Sequence, residues 1–211
     1  MGTSLRGTLF IAIISSVLAA CHADVCCFPS QFEGHIIDME PTGNQNEPYT
    51  QTDIDVSFDW TKNRLRQYVA AEDYLQLQFF GKGVMYTIQN STCKVSKLFP
   101  PPNGTFCIPD NAKRMKSYTL GIKEKISAID YLITEKESQI LRTISDMCVP
   151  VADIYFPLAS NDFSTIITYQ NLTSGIKDEK VFDVPSFCKS NEKKNISPPM
   201  MKASYLWKVS L

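Results

Sequence analysis

The chain has 211 residues, 44% of them hydrophobic and 20% charged, which suits one globular domain or two small ones. Its 21 Lys and Arg against 22 Asp and Glu leave a formal net charge of -1, so no field draws it toward phosphate and no nucleic-acid partner is expected. Two histidines leave little room for imidazole chemistry, whereas seven cysteines call for an oxidising compartment.

The N-terminus supplies that compartment. Arg6 precedes an apolar run over residues 8–20, and Cys21-His22-Ala23 then places small residues where a signal peptidase reads, ahead of Asp24. Residues 1–23 read as a secretory signal peptide; the run is well short of the roughly 20 residues that cross a bilayer as a helix, and no membrane span is expected. Leu18-Ala19-Ala20-Cys21 also fits a bacterial lipobox, against which the glycosylation signals below argue. Cleavage leaves Cys26, Cys27, Cys93, Cys107, Cys148 and Cys188 with one histidine, His35. An even set predicts three disulfides with the pairing open, the vicinal Cys26 and Cys27 reaching two different distant segments. No Cys-x-x-Cys occurs, and a lone histidine does not make a zinc site.

From Asp53 the period is two. Ile54, Val56, Phe58 and Trp60 alternate with Asp53, Asp55, Ser57 and Asp59, the pattern of a half-buried strand. Lys62-Asn63 as a two-residue hairpin loop would set Thr61 opposite Arg64, Trp60 opposite Leu65, Asp59 opposite Arg66 and Val56 opposite Val69. A second hairpin follows: Leu75, Leu77 and Phe79 alternate with Gln76 and Gln78, Gly81-Lys82-Gly83 turns the chain, and Val84, Tyr86 and Ile88 return. Residues 151–156 and 163–169, rich in β-branched and aromatic side chains, predict further strands. Between Leu120 and Cys148, the Ile122, Ile126, Ile129 and Ile133 spacing admits a helix, but Gly121 and the β-branched content favour two strands joined near residues 135–137. Pro100-Pro101-Pro102 marks a bend. The domain reads as residues 24–190, followed by a polar C-terminal tail over residues 191–211; no internal repeat is evident.

Four sequons, at Asn90, Asn103, Asn171 and Asn195, support a secreted glycoprotein; Pro198 makes Asn195 the weakest. Catalytic signatures are lacking: there is no Gly-x-Ser-x-Gly elbow and no phosphate-cradling glycine loop, so no enzyme and no organic cofactor is expected. Asp53, Asp55 and Asp59 are weak calcium candidates, because an EF-hand would need glycine at Phe58 and glutamate at Arg64. The plainer reading is a solvated strand face partly neutralised by Arg64 and Arg66.

The residues from Cys26 to Cys188 resemble the ependymins. Gly175-Ile176-Lys177-Asp178, Val181-Phe182, Pro185 and Cys188 are similar to that family's closing motif; Phe32-Glu33-Gly34 to its early aromatic-Glu-Gly element, where many members have Trp at Phe32. Ser57-Phe58-Asp59 with Arg64 and Arg66 looks like its first hairpin, and Gly83-Val84-Met85-Tyr86 like its second. The resemblance implies a mostly β fold of two stacked antiparallel sheets forming a curved sandwich with an apolar pocket, similar to bacterial lipoprotein carriers. It implies Cys93 paired with Cys188, Cys26 or Cys27 with Cys148, and the other with Cys107. It also implies a secreted, non-enzymatic homodimer that binds calcium, with glycan acids rather than Asp53 or Asp55 as the carriers, and that associates with extracellular matrix and cell adhesion; some members are lysosomal and bind lipids. On that reading a lipid-like ligand would meet apolar side chains of the strands: Trp60, Leu75, Leu77, Phe79, Tyr86, Ile88, Phe156 and Ile167. A dedicated lipid carrier, extracellular or in the lysosomal lumen and without an adhesion role, is the alternative.

Overall fold

The structure, a computed structural model, describes residues 26–98, 107–136, 138–158 and 164–189. The expected signal peptide and C-terminal tail lie outside the described residues, as do Phe163, Asn103 and Asn195. Eleven strands form one antiparallel sheet: β1 (Gln31–Pro41), β2 (Tyr49–Asp59), β3 (Arg64–Val69), β4 (Tyr74–Phe79), β5 (Val84–Gln89), β6 (Thr92–Lys97), β7 (Lys113–Leu120), β8 (Ile126–Thr134), β9 (Ser138–Ser145), β10 (Pro150–Pro157) and β11 (Thr165–Ser174). Their order across the sheet is β6-β5-β4-β3-β2-β1-β11-β10-β9-β8-β7, so each half is a meander and β1 pairing with β11 joins the halves. The only α-helix among the described residues is the four-residue α1 (Ser186–Lys189).

The meander from β2 to β5 has a period of ten that the sequence reading missed. The six-residue strands β3, β4 and β5 follow β2 and one another through four-residue loops in which a 3-10 turn (Trp60–Lys62, Ala70–Glu72, Phe80–Lys82) ends in a left-handed residue, Asn63, Asp73 and Gly83. Asn, Asp and Gly are the types that reach this conformation at least cost, which is why dissimilar loops close alike. The four-residue loop also corrects the predicted register. Asp59 faces Arg64, Phe58 faces Leu65 and Ser57 faces Arg66, because Trp60 starts the turn and does not extend the strand. The shift is two residues, so every side chain keeps its predicted face.

Alternation along paired strands then defines two faces. Phe32, Ile36, Ile54, Val56, Phe58, Leu65 and Val69 from one half join Ile133, Ile140, Tyr155 and Ile167 from the other in a single buried cluster. No helical layer covers these side chains among the described residues, so the sheet supplies its own second layer by curving until its halves face each other. The expected two stacked layers are thus halves of one continuous sheet. Strands β8 and β9 also decide the ambiguous segment in favour of two strands, with residues 135–137 between them. Their alternation buries Ile129, Ile133, Ile140 and Ile144 to different degrees on the concave side, a pattern of period two that a helix would not give. Strands β1, β6 and β7 were not anticipated.

At the seam, β1 carries an irregularity between Glu33 and His35, and Gly34 lies within it. A Cβ at Gly34 would sit 2.6 Å from Leu172 Cδ2 and 2.9 Å from the Gln170 carbonyl oxygen. Backbone cannot yield as a side-chain tip can. Gly34→Ala is therefore expected to cost about 2 kcal/mol, as overpacked sites typically do, and to lower the thermal midpoint measurably by calorimetry.

Candidate functional site

The concave interior is lined first by an aromatic row. Phe32 and Phe58 lie 5.1 Å apart between ring centres, Phe58 and Trp60 stack at 6.0 Å, and Trp60 meets Phe80 at 5.8 Å. This row follows from cross-strand pairing of Phe32 with Phe58 and from the turn that swings Trp60 over the same face. Ile36, Ile54 and Ile167 fill the floor beside it, each almost fully buried.

Set into these apolar walls are a few polar groups. Arg142 and Asp153 are directly opposed on β9 and β10 and form a bidentate pair, Nε to Oδ1 at 2.8 Å and Nη2 to Oδ2 at 3.1 Å, both side chains buried. Tyr169 donates its hydroxyl to Asp153 Oδ2 at 2.9 Å. Burial alone would lower the Arg142 guanidinium, but the adjoining Asp153 carboxylate outweighs it and holds the group protonated, above its ordinary value. Burial, reinforced by the Asp153 charge, pushes both Tyr155 and Tyr169 well above the usual phenol value, so both remain neutral donors. The Tyr155 hydroxyl has no hydrogen-bond partner among the described residues. On the other half, Gln78 donates to Gln67 at 3.2 Å and to Gln76 at 2.8 Å, and Gln76 donates to the Tyr74 hydroxyl at 3.2 Å.

Two disulfides hold a lid on this interior. Cys26 bonds Cys148 in the turn after β9, and Cys27 bonds Cys107, so residues 26–28 and 107–112 lie together, with the Ile108 amide donating to the Cys26 carbonyl at 2.8 Å. Phe28, Ile108 and Ile144 form a buried cluster there. Phe28 lies 5.2 Å from the Arg142 guanidinium and makes an edge contact to Tyr169 at 6.5 Å.

The outer face of the β3 to β6 half is covered by the chain after β11. Gly175 turns it with a positive φ of 83°, the Lys177 amide donates to Glu33 Oε2 at 3.2 Å, and Asp178 caps the 3-10 turn Glu179–Phe182 by accepting from the Lys180 amide. The Phe182 ring then lies 4.0 Å from the Arg64 guanidinium, and the third disulfide, Cys93 to Cys188, pins the end. Arg64 also pairs with Asp59 at 2.8 Å and with Glu179, while Lys62 holds Glu179 at 2.9 Å. Asp59 is completely buried, so the solvated acidic face expected there is solvated only at Asp53 and partly at Asp55.

Burial would raise the Asp59 carboxyl, but hydrogen bonds from Thr61, Gln31, Arg64 and the Lys62 amide outweigh it and hold it below its usual value. Hydrogen bonds from Lys62 and Arg64 lower Glu179 as well. Depressed folded values mean that this cluster stabilises fully above the unfolded carboxylate range and loses that contribution as pH falls through the folded values. The thermal midpoint is expected to be flat from pH 7 to about 5 and to drop below about pH 4, with Asp59→Asn flattening the acid limb.

The structure divides the predicted ligand-lining residues. Ile167 lies on the concave floor and Trp60 packs against it, partly buried. Leu75, Leu77, Phe79, Tyr86 and Ile88 belong instead to the outer face, packed with Val95, Val184 and Cys188 beneath the C-terminal cover. Phe156 is exposed on the outer face of β10. The reason is that β4 is buried on both sides: Gln76 and Gln78, which read as the solvent face, are the ones pointing inward. The interior set missed by the sequence reading is Arg142, Asp153, Tyr155, Tyr169 and the three glutamines.

The calcium candidates are not brought together. Asp53 accepts from Gln51 at 3.2 Å, Asp55 pairs with His35 Nδ1 at 2.6 Å on the outer face, and Asp59 is engaged by Arg64. No group of three or more His, Cys, Asp or Glu among the described residues could hold a metal ion. Asn90 and Asn171 are exposed at left-handed positions, Asn90 with Ser91 forming the two-residue loop between β5 and β6.

The model of the ependymin family matches residues 70–188, more than half of the chain. The chain belongs to the ependymin family. The match ends on Cys188, the residue whose disulfide anchors the outer cover. Ependymin-1 of Oncorhynchus mykiss is 24% identical over 199 residues, covering 88% of this chain and 87% of that protein. Among solved structures, a LolA superfamily protein from Nitrosomonas europaea is 8% identical with a TM-score of 0.40, covering 75% of this chain and 93% of that one; so low a likeness carries nothing further. Three disulfides in an ependymin-family chain are typical of an extracellular protein. No helix among the described residues is long and apolar enough to cross a membrane.

Proposed function

We propose that this ependymin-family protein is a secreted, non-enzymatic glycoprotein that holds a lipid-like ligand between the halves of its curved sheet. The composition of the concave face carries the reading. Aromatic and aliphatic walls are interrupted by a few fixed polar groups, the usual make-up of a site for a largely apolar molecule with one polar end. Among those groups the Tyr155 hydroxyl is buried with no hydrogen-bond partner among the described residues, and a ligand oxygen would satisfy it. Protein purified from a secreting host without detergent should release one acyl-containing molecule per chain on extraction, detected by mass spectrometry. Tyr155→Phe should retain several-fold less without loss of stability. Extraction that yields no stoichiometric lipid would overturn the carrier reading.

A second reading, calcium-dependent matrix adhesion by a homodimer, draws on the two exposed sequons, since glycans at Asn90 and Asn171 would present acidic groups outside the sheet. Calorimetry with calcium before and after deglycosylation tests it: heat that disappears with the glycans supports it, and no heat in either state refutes it.

A further inference from the structure

One residue of the concave interior restricts the polar end of any ligand held there. Tyr155 is 5% exposed, and its hydroxyl has no hydrogen-bond partner among the described residues. It stands two residues from Asp153 on β10 and so shares its face, directly opposite Ile140 of β9 and Thr165 of β11. Burial, with the Asp153 charge beside it, keeps the proton on the phenol oxygen. The hydroxyl therefore offers a donor, and what it lacks is an acceptor.

The charges around Tyr155 decide which acceptor fits. Arg142 is the only lysine or arginine buried among the described residues, and Asp153 already engages it at two points, 2.8 and 3.1 Å. Asp153 and, more weakly, Glu135 after β8 make the potential at the phenol negative, and the Arg142 charge offsets only part of it. Asp38 of β1, 1% exposed and directly paired with Ile167, adds a further acid to the same floor. A carboxylate brought to Tyr155 would thus lose its water among acids, with the one buried cation already neutralised, which is a costly placement. An ester carbonyl accepts the same hydrogen bond and carries no charge.

We propose that the interior selects fatty acyl esters over free fatty acids, with the Tyr155 hydroxyl donating to the uncharged ester oxygen. This selectivity rests on the carrier reading, whose site it shares. The test is to incubate the full secreted chain with an equimolar mixture of methyl oleate and oleate at about pH 8, where a free carboxyl is ionised, and to quantify by mass spectrometry the lipid that remains bound after gel filtration. Methyl oleate is expected on the protein in more than tenfold excess over oleate. Tyr155→Phe keeps the ring and removes the donor, so it should lower methyl oleate retention about fivefold while leaving oleate unchanged. Loss of fold would lower both lipids alike, so the ratio between them reports the hydrogen bond and not the stability of the variant. Oleate retained as well as methyl oleate, or a ratio unmoved by Tyr155→Phe, overturns the selectivity and leaves the carrier reading standing. Retention of neither lipid overturns both.

Discussion

Arg142→Leu is expected to destabilise the protein by about 3–5 kcal/mol, among the largest effects of any single change away from the cysteines. Arg142 is 3% exposed and Asp153 is completely buried, so the substitution strands a carboxylate in the interior with only the Tyr169 hydroxyl, among the described residues, to bond it. The penalty arises from the abandoned charge more than from the lost attraction. Arg142→Leu combined with Asp153→Leu should therefore cost much less than the single change, since a buried pair replaced by apolar groups is often nearly neutral. Urea unfolding of both singles and the double gives the coupling directly; a double variant as unstable as the sum of the singles would show that the pair does not act as a unit. Arg142→Lys should also fail to rescue, because an ammonium cannot reproduce the two-point contact to Oδ1 and Oδ2 or the flat face presented to Phe28.

Joint replacement of Cys93 and Cys188 by alanine is the second large effect. The bond spans 95 positions of sequence, and a cross-link of that length restricts the unfolded chain by about 4–5 kcal/mol in the chain-entropy account. The native state loses something as well. Without the anchor, Val184 and residue 188 are free to lift from Leu77, Tyr86 and Ile88, exposing an apolar face that the rest of the fold does not otherwise cover among the described residues. Arg64, Asp59 and Glu179 would still tether the first turn of the cover, so opening should start at residue 188 and run back toward Phe182. Hydrogen exchange should show amides of residues 183–188 losing protection first, with a lower unfolding midpoint; unchanged protection there would mean that packing alone holds the cover.

These two sites differ in how far the sequence disclosed them. The six cysteines and the closing motif around Phe182 and Cys188 were legible because covalent chemistry and turn residues carry local signatures. Arg142 and Asp153 were not, since each sits in an ordinary strand and only the β9-β10 register opposes them. Gln76 and Gln78 misled for a related reason. Period two separates the faces of a strand without saying which one is inward, and polarity points outward only where one face meets water. Covered on both sides, β4 satisfies its glutamines by pairing them with one another and with Tyr74. The same ambiguity placed Leu77 and Tyr86 in a ligand site when they lie beneath the C-terminal cover.

The sequence by itself determined the mostly β class, the hairpin ladder, the even cysteine set and the family, because alternation, turn chemistry and cysteine count are properties of short segments or of composition. The tertiary structure alone decided that the strands form one sheet curved upon itself, which of the two vicinal cysteines meets Cys148, and which face became the interior. All of these depend on contacts between residues far apart in the chain, which no local period encodes.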